Sequence, residues 1–420
     1  MKILVVGSGG REHAIIWKLS QSERVDKIYC APGNGGIAQL AECVDIGAME
    51  KEKMVEFAKA NDIDFVFVAP DDPLVDGMVD AMETAGIKAF GPRANAAIIE
   101  GSKAFSKELM KKYNIPTAAY EVFENSDAAV EYLKGVSFPT VIKADGLALG
   151  KGVIIAQSFD EAKEAVCDMI DGGKFGKSGS RVVIEEFLTG PEVSVLAFTD
   201  GHTVKPMVSA QDHKRAYDND EGLNTGGMGT FSPSRLYDAD KAEECMKNIF
   251  IPTIDAMRKE GRPFKGVLYF GLMMTKDGVK VIEYNCRFGD PETQVVLPRL
   301  KTDLLDIMEA VADENLSELD IEWYDNAAVC VVEASGGYPV SYKKGFEITG
   351  LDDVGEDIIV FHAGTALKDG KLVTNGGRVL GITAVRDNLD NAIKTAYEAV
   401  DKIHFEGEFH RNDIGIKKYD

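Results

Sequence analysis

Positive charge is in short supply in this chain: 47 lysines and arginines stand against 69 aspartates and glutamates, a formal net charge of -22. Nucleic-acid backbones and anionic membranes both need a basic footprint, so neither is expected as a partner. A pocket that is locally positive for a small anion stays open. Cysteine is sparse and scattered. The six (Cys30, Cys43, Cys167, Cys245, Cys286 and Cys330) include no C-x-x-C pair, which argues against a disulfide framework or a zinc site and fits a reducing compartment. No apolar run approaches the roughly 18 residues of a membrane span. The opening Met1-Lys2-Ile3-Leu4-Val5-Val6 runs straight into a glycine-rich turn, so it reads as a first strand rather than a signal peptide. Internal repeats and low-complexity tracts are missing as well. These absences leave a soluble, cytoplasmic globular protein as the expectation.

At 420 residues the chain is too long for one core, and two to four domains are expected. Residues 3–6, 27–30, 65–69 and 87–90 read as buried strands, with helices over 12–19, 51–60 and 73–85 between them. That alternation implies βαβ units on a parallel sheet. Gly91-Pro92-Arg93 breaks the pattern, and from Ser102 the register changes. A helix over 103–113 leads into a strand-rich module whose clearest strands are 140–145 and 182–187. A glycine- and aspartate-rich loop is expected over 211–230, because Gly226-Gly227-Met228-Gly229 cannot sustain a helix. Strands 267–274 and 279–287 flank the hairpin turn Thr275-Lys-Asp-Gly278. After Asp325 a third unit begins, with strands over 328–333, 358–361 and 378–384 and a helix over 389–403.

Five segments carry chemistry. Gly7-Ser-Gly-Gly-Arg-Glu-His13 joins a strand to a helix, where free N–H groups and the helix dipole suit an anion. The dinucleotide fingerprint fails there because Glu12 holds the last glycine's place, and an ordinary tight turn is an equal alternative. Lys143 stands on a strand beside Asp145-Gly-Leu-Ala-Leu-Gly-Lys-Gly152, a triphosphate clamp or a solvated hairpin loop. Gly152 occupies the serine or threonine position of a P-loop, so this is not one. In Val281-Ile-Glu-Tyr-Asn-Cys-Arg-Phe-Gly-Asp-Pro-Glu292 the period of two puts Glu283, Asn285 and Arg287 on one face and Ile282 and Tyr284 on the other. A carboxylate and an amide oxygen suit Mg²⁺, and the arginine fork suits a carboxylate or phosphoryl group. The alternative is a half-buried strand with a polar outer face. Glu185-Glu186 and Glu192 offer acceptors for ribose hydroxyls or merely a solvated acidic face. Asp212-His213-Lys214-Arg215 mixes signs as a zwitterion site or a polar loop would.

Together these segments resemble one family. Gly-Ser-Gly-Gly-Arg-Glu-His at 7–13, Ala-Pro-Gly-Asn at 31–34 and Gly-Ser-Lys-Ala-Phe at 101–105 occur in the order of the glycinamide ribonucleotide synthetases, of the ATP-grasp superfamily. So do Ile-Lys-Ala-Asp-Gly-Leu-Ala at 142–148, Gln-Asp-His-Lys-Arg at 211–215 and Asn-Thr-Gly-Gly-Met-Gly at 224–229. Glu-Tyr-Asn-Cys-Arg-Phe-Gly-Asp-Pro-Glu-Thr-Gln at 283–294 and Asn-Gly-Gly-Arg at 375–378 complete the series. The resemblance spans essentially the whole chain.

It implies an α/β and α+β multidomain fold. A Rossmann-like N-terminal domain (1–102) is followed by a two-lobed ATP-grasp domain (103–325, with a mobile lobe at about 120–190) and a small C-terminal α+β domain (326–420). By the same resemblance, ATP contacts fall to Lys103, Lys143, Lys151, Glu185, Glu186, Phe187 and Glu192, and Mg²⁺ or Mn²⁺ to Glu283 and Asn285. Asp212 and Arg287 are the implied catalytic pair, holding the ammonium and carboxylate of glycine with Lys214 nearby. Gly9 and Gly10 would cradle the phosphate of 5-phosphoribosylamine. The implied reaction joins glycine to that amine through glycyl phosphate, in purine biosynthesis, with small molecules as the partners of a monomer. Three positions depart from the pattern: Pro70-Asp71-Asp72-Pro73 replaces Gly-Pro-Glu-Ala-Pro, Leu149 replaces a small residue, and Phe270-Gly271-Leu272 lacks the acidic metal ligand of many ATP-grasp enzymes. The rival readings are an ATP-grasp enzyme acting on another carboxylate and a nicotinamide-dependent oxidoreductase.

Overall fold

The computed structural model describes residues 1–147, 152–172 and 179–416. Five parallel strands open it: β1 (Lys2–Gly7), β2 (Lys27–Pro32), β3 (Glu42–Cys43), β4 (Phe65–Val68) and β5 (Lys88–Phe90), in the order β3-β2-β1-β4-β5. Ile3 and Val5 enter one hydrophobic cluster and Leu4 and Val6 another, so β1 is buried on both faces. The chain leaves β1 toward β2 on one side and reaches β4 on the other. The strand order therefore reverses between β1 and β4, the switch point at whose C-terminal ends open α/β sheets bind ligands, and there the Gly7 turn meets Pro70. The single helix expected over 73–85 is two helices, Asp71–Val75 and Met78–Thr84. Gly77 between them sits at φ +83°, a conformation that ends the first helix and that few other residues adopt.

After helices Ala94–Gly101 and Lys103–Lys112 comes the first lobe, with β6 (Tyr120–Phe123), β7 (Thr140–Ala144), β8 (Val153–Ala156) and β9 (Val182–Glu186). They form an antiparallel sheet ordered β6-β9-β7-β8, covered by helices Ser126–Leu133 and Phe159–Ile170. Its core, including Ala129, Leu133, Ile142, Val166 and Ile184, is its own. The second lobe does not stand alone in this way. Its strands β10 (Glu192–Asp200), β11 (Val204–Pro206) and, farther on, β16 (Lys265–Thr275) and β17 (Gly278–Asn285) pair as β11-β10-β16-β17. Val195 and Phe270 join the cluster of Leu4 and Val66, while Leu196 and Phe198 join that of Ile3 and Phe67. N-terminal domain and second lobe are one packed body.

The segment 211–230 is more ordered than the loop expected of it. It contains β12 (Gln211–Asp212), a hairpin of β13 (Arg215–Tyr217) and β14 (Glu221–Asn224), and β15 (Gly229–Ser232). β15 pairs with β18 (Ala327–Ser335) of the C-terminal unit, Gly229 opposite Val331. Composition hid this because the strand starts with a glycine that is itself required. At φ +153°, a Cβ on Gly229 would lie 2.8 Å from the Cys330 carbonyl oxygen. The remaining strands are β19 (Ile358–His362), the ribbon β20 (Thr365–Lys368) and β21 (Lys371–Thr374), β22 (Arg378–Arg386) and β23 (Glu408–Phe409). The C-terminal sheet runs β12-β15-β18-β22-β19, with β23 on β18, and helix Leu389–Val400 covers it. This is the α/β and α+β multidomain organisation read from the sequence. No helix among the described residues is long and apolar enough to cross a membrane.

Candidate active site

The site forms where the two lobes meet. Lys143 on β7 sends its ammonium across to the Ile282 carbonyl of β17 at 3.2 Å and to Glu185 of β9 at 3.1 Å. Lys103, at the start of its helix, donates to the Gly146 carbonyl at 2.8 Å. Burial pulls its pKa down, while the nearby Glu283 opposes that shift. Asp145 pins the head of the loop after β7, accepting from Ser102 Oγ and the Ala104 amide at 2.9 Å each and from Arg181 Nε at 2.8 Å. Glu186 is exposed and Phe187 half-buried just past the end of β9. Lys151 lies outside the described residues.

β17 supplies the centre. Its alternation is not the simple one read from the sequence, because a bulge opposite Gly271 and Leu272 makes Ile282 an extra residue. Val279, Val281 and Tyr284 consequently enter the core, and Ile282 is only half-buried. Lys214 lies 3.2 Å from Glu192 and 3.5 Å from Glu283. That ammonium is the main reason the Glu283 carboxyl is held down to about 2, so it is ionised at neutral pH. Gly271 faces Glu283 across the ladder, and a Cβ there would come within 3.1 Å of Glu283 Cγ. Among the described residues no three His, Cys, Asp or Glu side chains cluster as a metal site. Glu283 and Asn285 nevertheless offer two hard oxygens, the sparse protein set that Mg²⁺ accepts when phosphates and waters complete its shell.

Arg287 lies just beyond β17. One of its terminal nitrogens is 3.1 Å from Glu100, 3.3 Å from Asn285 Oδ1 and 4.0 Å from Asp71. Its Nε is buried with no hydrogen-bond partner among the described residues, a donor left for something else. Asp212, on β12, accepts the His213 amide at 2.7 Å. Burial, with Glu292 adding repulsion, pushes its carboxyl well above the ordinary range, against the pull of Lys214 and Arg378. Glu292 in turn accepts from Ser194 at 3.0 Å and Tyr269 at 3.1 Å. Gly227 lets Asp212 approach, since a Cβ there would meet Asp212 Oδ1 at 2.6 Å.

The Gly7–Gly10 turn departs from expectation. Gly9 N–H is taken by Glu12 Oε2 at 2.5 Å, so this amide is not free for a phosphate. The residue that breaks the dinucleotide fingerprint is thus the one that caps the helix. Positive charge at this corner comes instead from Arg11, Arg287 and Arg378, which together hold Asp290 below the usual carboxylate range against its burial. Arg378 donates to the Gly226 carbonyl at 2.8 Å and the Asp290 carbonyl at 2.9 Å, tying the C-terminal unit to the site. Asn34 does the same, giving its amide to Ser8 and His362 carbonyls at 2.8 Å each. Sequence reasoning assigned nothing to Lys107, Asp290, Glu292 or Arg378. The last three lie inside quoted motifs, and Lys107 is one helical turn from Lys103, so those were the available signals.

Three family models cover nearly the entire chain: the N domain of phosphoribosylglycinamide synthetase over residues 1–100, its ATP-grasp (A) domain over 101–293 and its C domain over 328–417. The chain is 55% identical over 414 residues to a phosphoribosylamine–glycine ligase of Caldanaerobacter subterraneus, covering 99% of each. It is 49% identical to the trifunctional purine biosynthetic protein adenosine-3 of Gallus gallus, covering 99% of this chain and 42% of that one. A crystal structure of the Thermotoga maritima phosphoribosylamine–glycine ligase superposes with a TM-score of 0.88 at 36% identity, over 99% of this chain and 100% of that one. The chain belongs to the phosphoribosylglycinamide synthetase family.

Proposed function

We propose that this chain joins glycine to 5-phosphoribosylamine with conversion of ATP to ADP and phosphate, giving glycinamide ribonucleotide for purine biosynthesis. The observation that carries the reading is the unpartnered, buried Nε of Arg287 next to Asn285 and Glu283. A carboxylate gripped there lies beside the oxygens that would hold a phosphate-bound cation, which is the arrangement that carboxylate phosphorylation needs.

In this reading Lys103 and Lys143 neutralise the polyphosphate, Lys151 joins them from the loop, and Glu185, Glu186 and Phe187 border the base while Glu192 meets the ribose. Glu283 and Asn285 would hold Mg²⁺ or Mn²⁺, which neutralises charge on the transferred phosphoryl group when bound. Arg287 orients the glycine carboxylate for attack on the γ-phosphate, and Asp212 with Lys214 alongside selects the α-amino acid. The amine nitrogen then attacks the acyl phosphate. Its own phosphate is met at the Gly9–Gly10 corner by Gly10 and the surrounding arginines, since the Gly9 amide serves Glu12. Water must be excluded between the two steps, a task suited to the lobe at about 120–190 with its separate core. In the same reading the boundaries at 102–103 and 325–326 separate the functional parts of a cytoplasmic monomer.

An assay of ADP release with freshly generated phosphoribosylamine tests the whole. Release should require both glycine and the amine and a divalent cation. Equal release with bicarbonate or other carboxylates in place of glycine would favour another ATP-grasp reaction.

A further inference from the structure

Among the described residues Lys107 is the most buried lysine, 2% exposed, and nothing in the reaction above uses it. It lies four residues past Lys103 on the same helix, so both side chains leave one helical face. Its ammonium is 2.8 Å from Glu185 Oε2 and donates to Thr117 Oγ1 at 2.8 Å. Thr117 donates its own hydroxyl hydrogen bond to the Val281 carbonyl at 2.7 Å, so the lysine is tied to both lobes at once. Lys143 stands on the other side of the same carboxylate, 3.1 Å from Oε1. Two buried cations therefore share one buried anion.

That count has a consequence. A carboxylate as buried as Glu185 must be matched by positive charge. With Lys107 in place, one oxygen is already matched, and Lys143 can turn toward an incoming anion without stranding Glu185. Without Lys107, Lys143 would be the remaining close cation and would be held there. We propose that Lys107 is a positioning residue of the nucleotide site, neutralising Glu185 so that Lys143 is available to the polyphosphate. The inference rests on the ATP-binding reading above. Burial lowers the pKa of Lys107 to about 8, with Glu185 opposing the shift, so it keeps most of its charge at neutral pH.

The test is a double-mutant cycle read by calorimetry with ATP and, separately, with adenosine. Lys107→Met should weaken ATP about tenfold, equivalent to about 1.4 kcal/mol, and change adenosine little, because the effect runs through the phosphates. In a Glu185→Gln background the same substitution should change ATP affinity by less than about threefold, since no anion is left to neutralise. An equal loss in both backgrounds, or an equal loss for ATP and adenosine, overturns the proposal and makes Lys107 a packing residue. If Lys107→Met does not fold, Lys107→Met/Glu185→Gln, which has no stranded charge, is compared with Glu185→Gln: a change in ATP affinity below about threefold supports the proposal, and a loss of about tenfold overturns it. Failure of the unaltered protein to bind ATP at all would count against the nucleotide reading itself.

Discussion

Arg287 concentrates the argument at the level of single residues. Its guanidinium is committed on one edge to Glu100 and Asn285 and open on the other at Nε, so its geometry as well as its charge is in use. Lysine would keep the charge and lose the fork. Arg287→Lys is expected to weaken glycine by about 1.5–3 kcal/mol, the range of one charge-assisted hydrogen bond, with KM for ATP little changed. Steady-state kinetics varying each substrate in turn checks this, and a loss confined to ATP would move Arg287 into the nucleotide site. Glu333 makes a different claim, about stability. It is 1% exposed, its Oε2 has no hydrogen-bond partner among the described residues, and His410 Nδ1 stands 3.9 Å from its other oxygen. Burial first, then Glu408, pushes its carboxyl up to about 8 from 4.5. The folded state thus holds this proton more tightly than the unfolded chain, so stability declines as pH rises from about 4.5 to about 8 and stays lower above. Glu333→Gln should match the unaltered protein near the lower limit and melt at higher temperature above the upper one. Melting curves whose difference is constant across that window would remove the claim. That Glu283 and Asn285 share a strand face was legible because it lies in a local pattern. Lys107 and Glu292 were not, since a buried lysine and a buried glutamate acquire roles only from partners 78 and 98 residues away, Glu185 and Ser194.

Among the elements, the strands of the parallel sheet were readable because burial on both faces writes an unbroken apolar run, as in Phe65–Val68. Helix length was misread at Gly77, where one left-handed residue outweighs the amphipathic pattern on either side. The bulge in β17 was invisible too, since an extra residue in a ladder depends on the partner strand. The largest gap was 211–230, whose glycines suggested flexibility and in fact permit close approach. Gly229 shows how this can be measured. An alanine there must hold a positive φ and place its Cβ against the Cys330 carbonyl oxygen at 2.8 Å. Gly229→Ala should destabilise the protein by about 1–3 kcal/mol through that strain, read by chemical denaturation. β15 also anchors β12, which carries Asp212, so KM for glycine should rise in the same variant. Unchanged stability would mean that the β15–β18 junction yields without penalty.

For the whole molecule, the distribution of cores decides which parts can move. The N-terminal sheet and the second lobe interleave their side chains in two shared clusters, and Asn34 and Arg378 bind the C-terminal unit onto them. The C-terminal unit has a third cluster, around Val329 and Ile382, but also sends Ala328 and Cys330 into a shared one, whereas the first lobe keeps a core drawn entirely from residues 129–184. Its polar ties to the body include Lys143 to the Ile282 carbonyl, Lys103 to Gly146 and Thr117 to Val281. A lobe held by polar contacts around a nucleotide site can open at less expense than unfolding, and a ligand spanning both sides should hold it shut. Leu133 is fully buried in that separate core. Leu133→Ala should therefore lower stability by about 2–5 kcal/mol, the range for a leucine cavity, with the effect confined to one lobe. Hydrogen exchange supplies the measurement: amides of β6, β7, β8 and β9 should exchange faster while those of β1, β4 and β16 keep their rates. Adding ATP should restore much of the protection in the first group and little elsewhere, since binding to the closed form draws the lobe back by mass action. Uniform acceleration across all of these strands would show that the lobe unfolds only with the body, and a hinged clasp around the nucleotide would then have no structural basis.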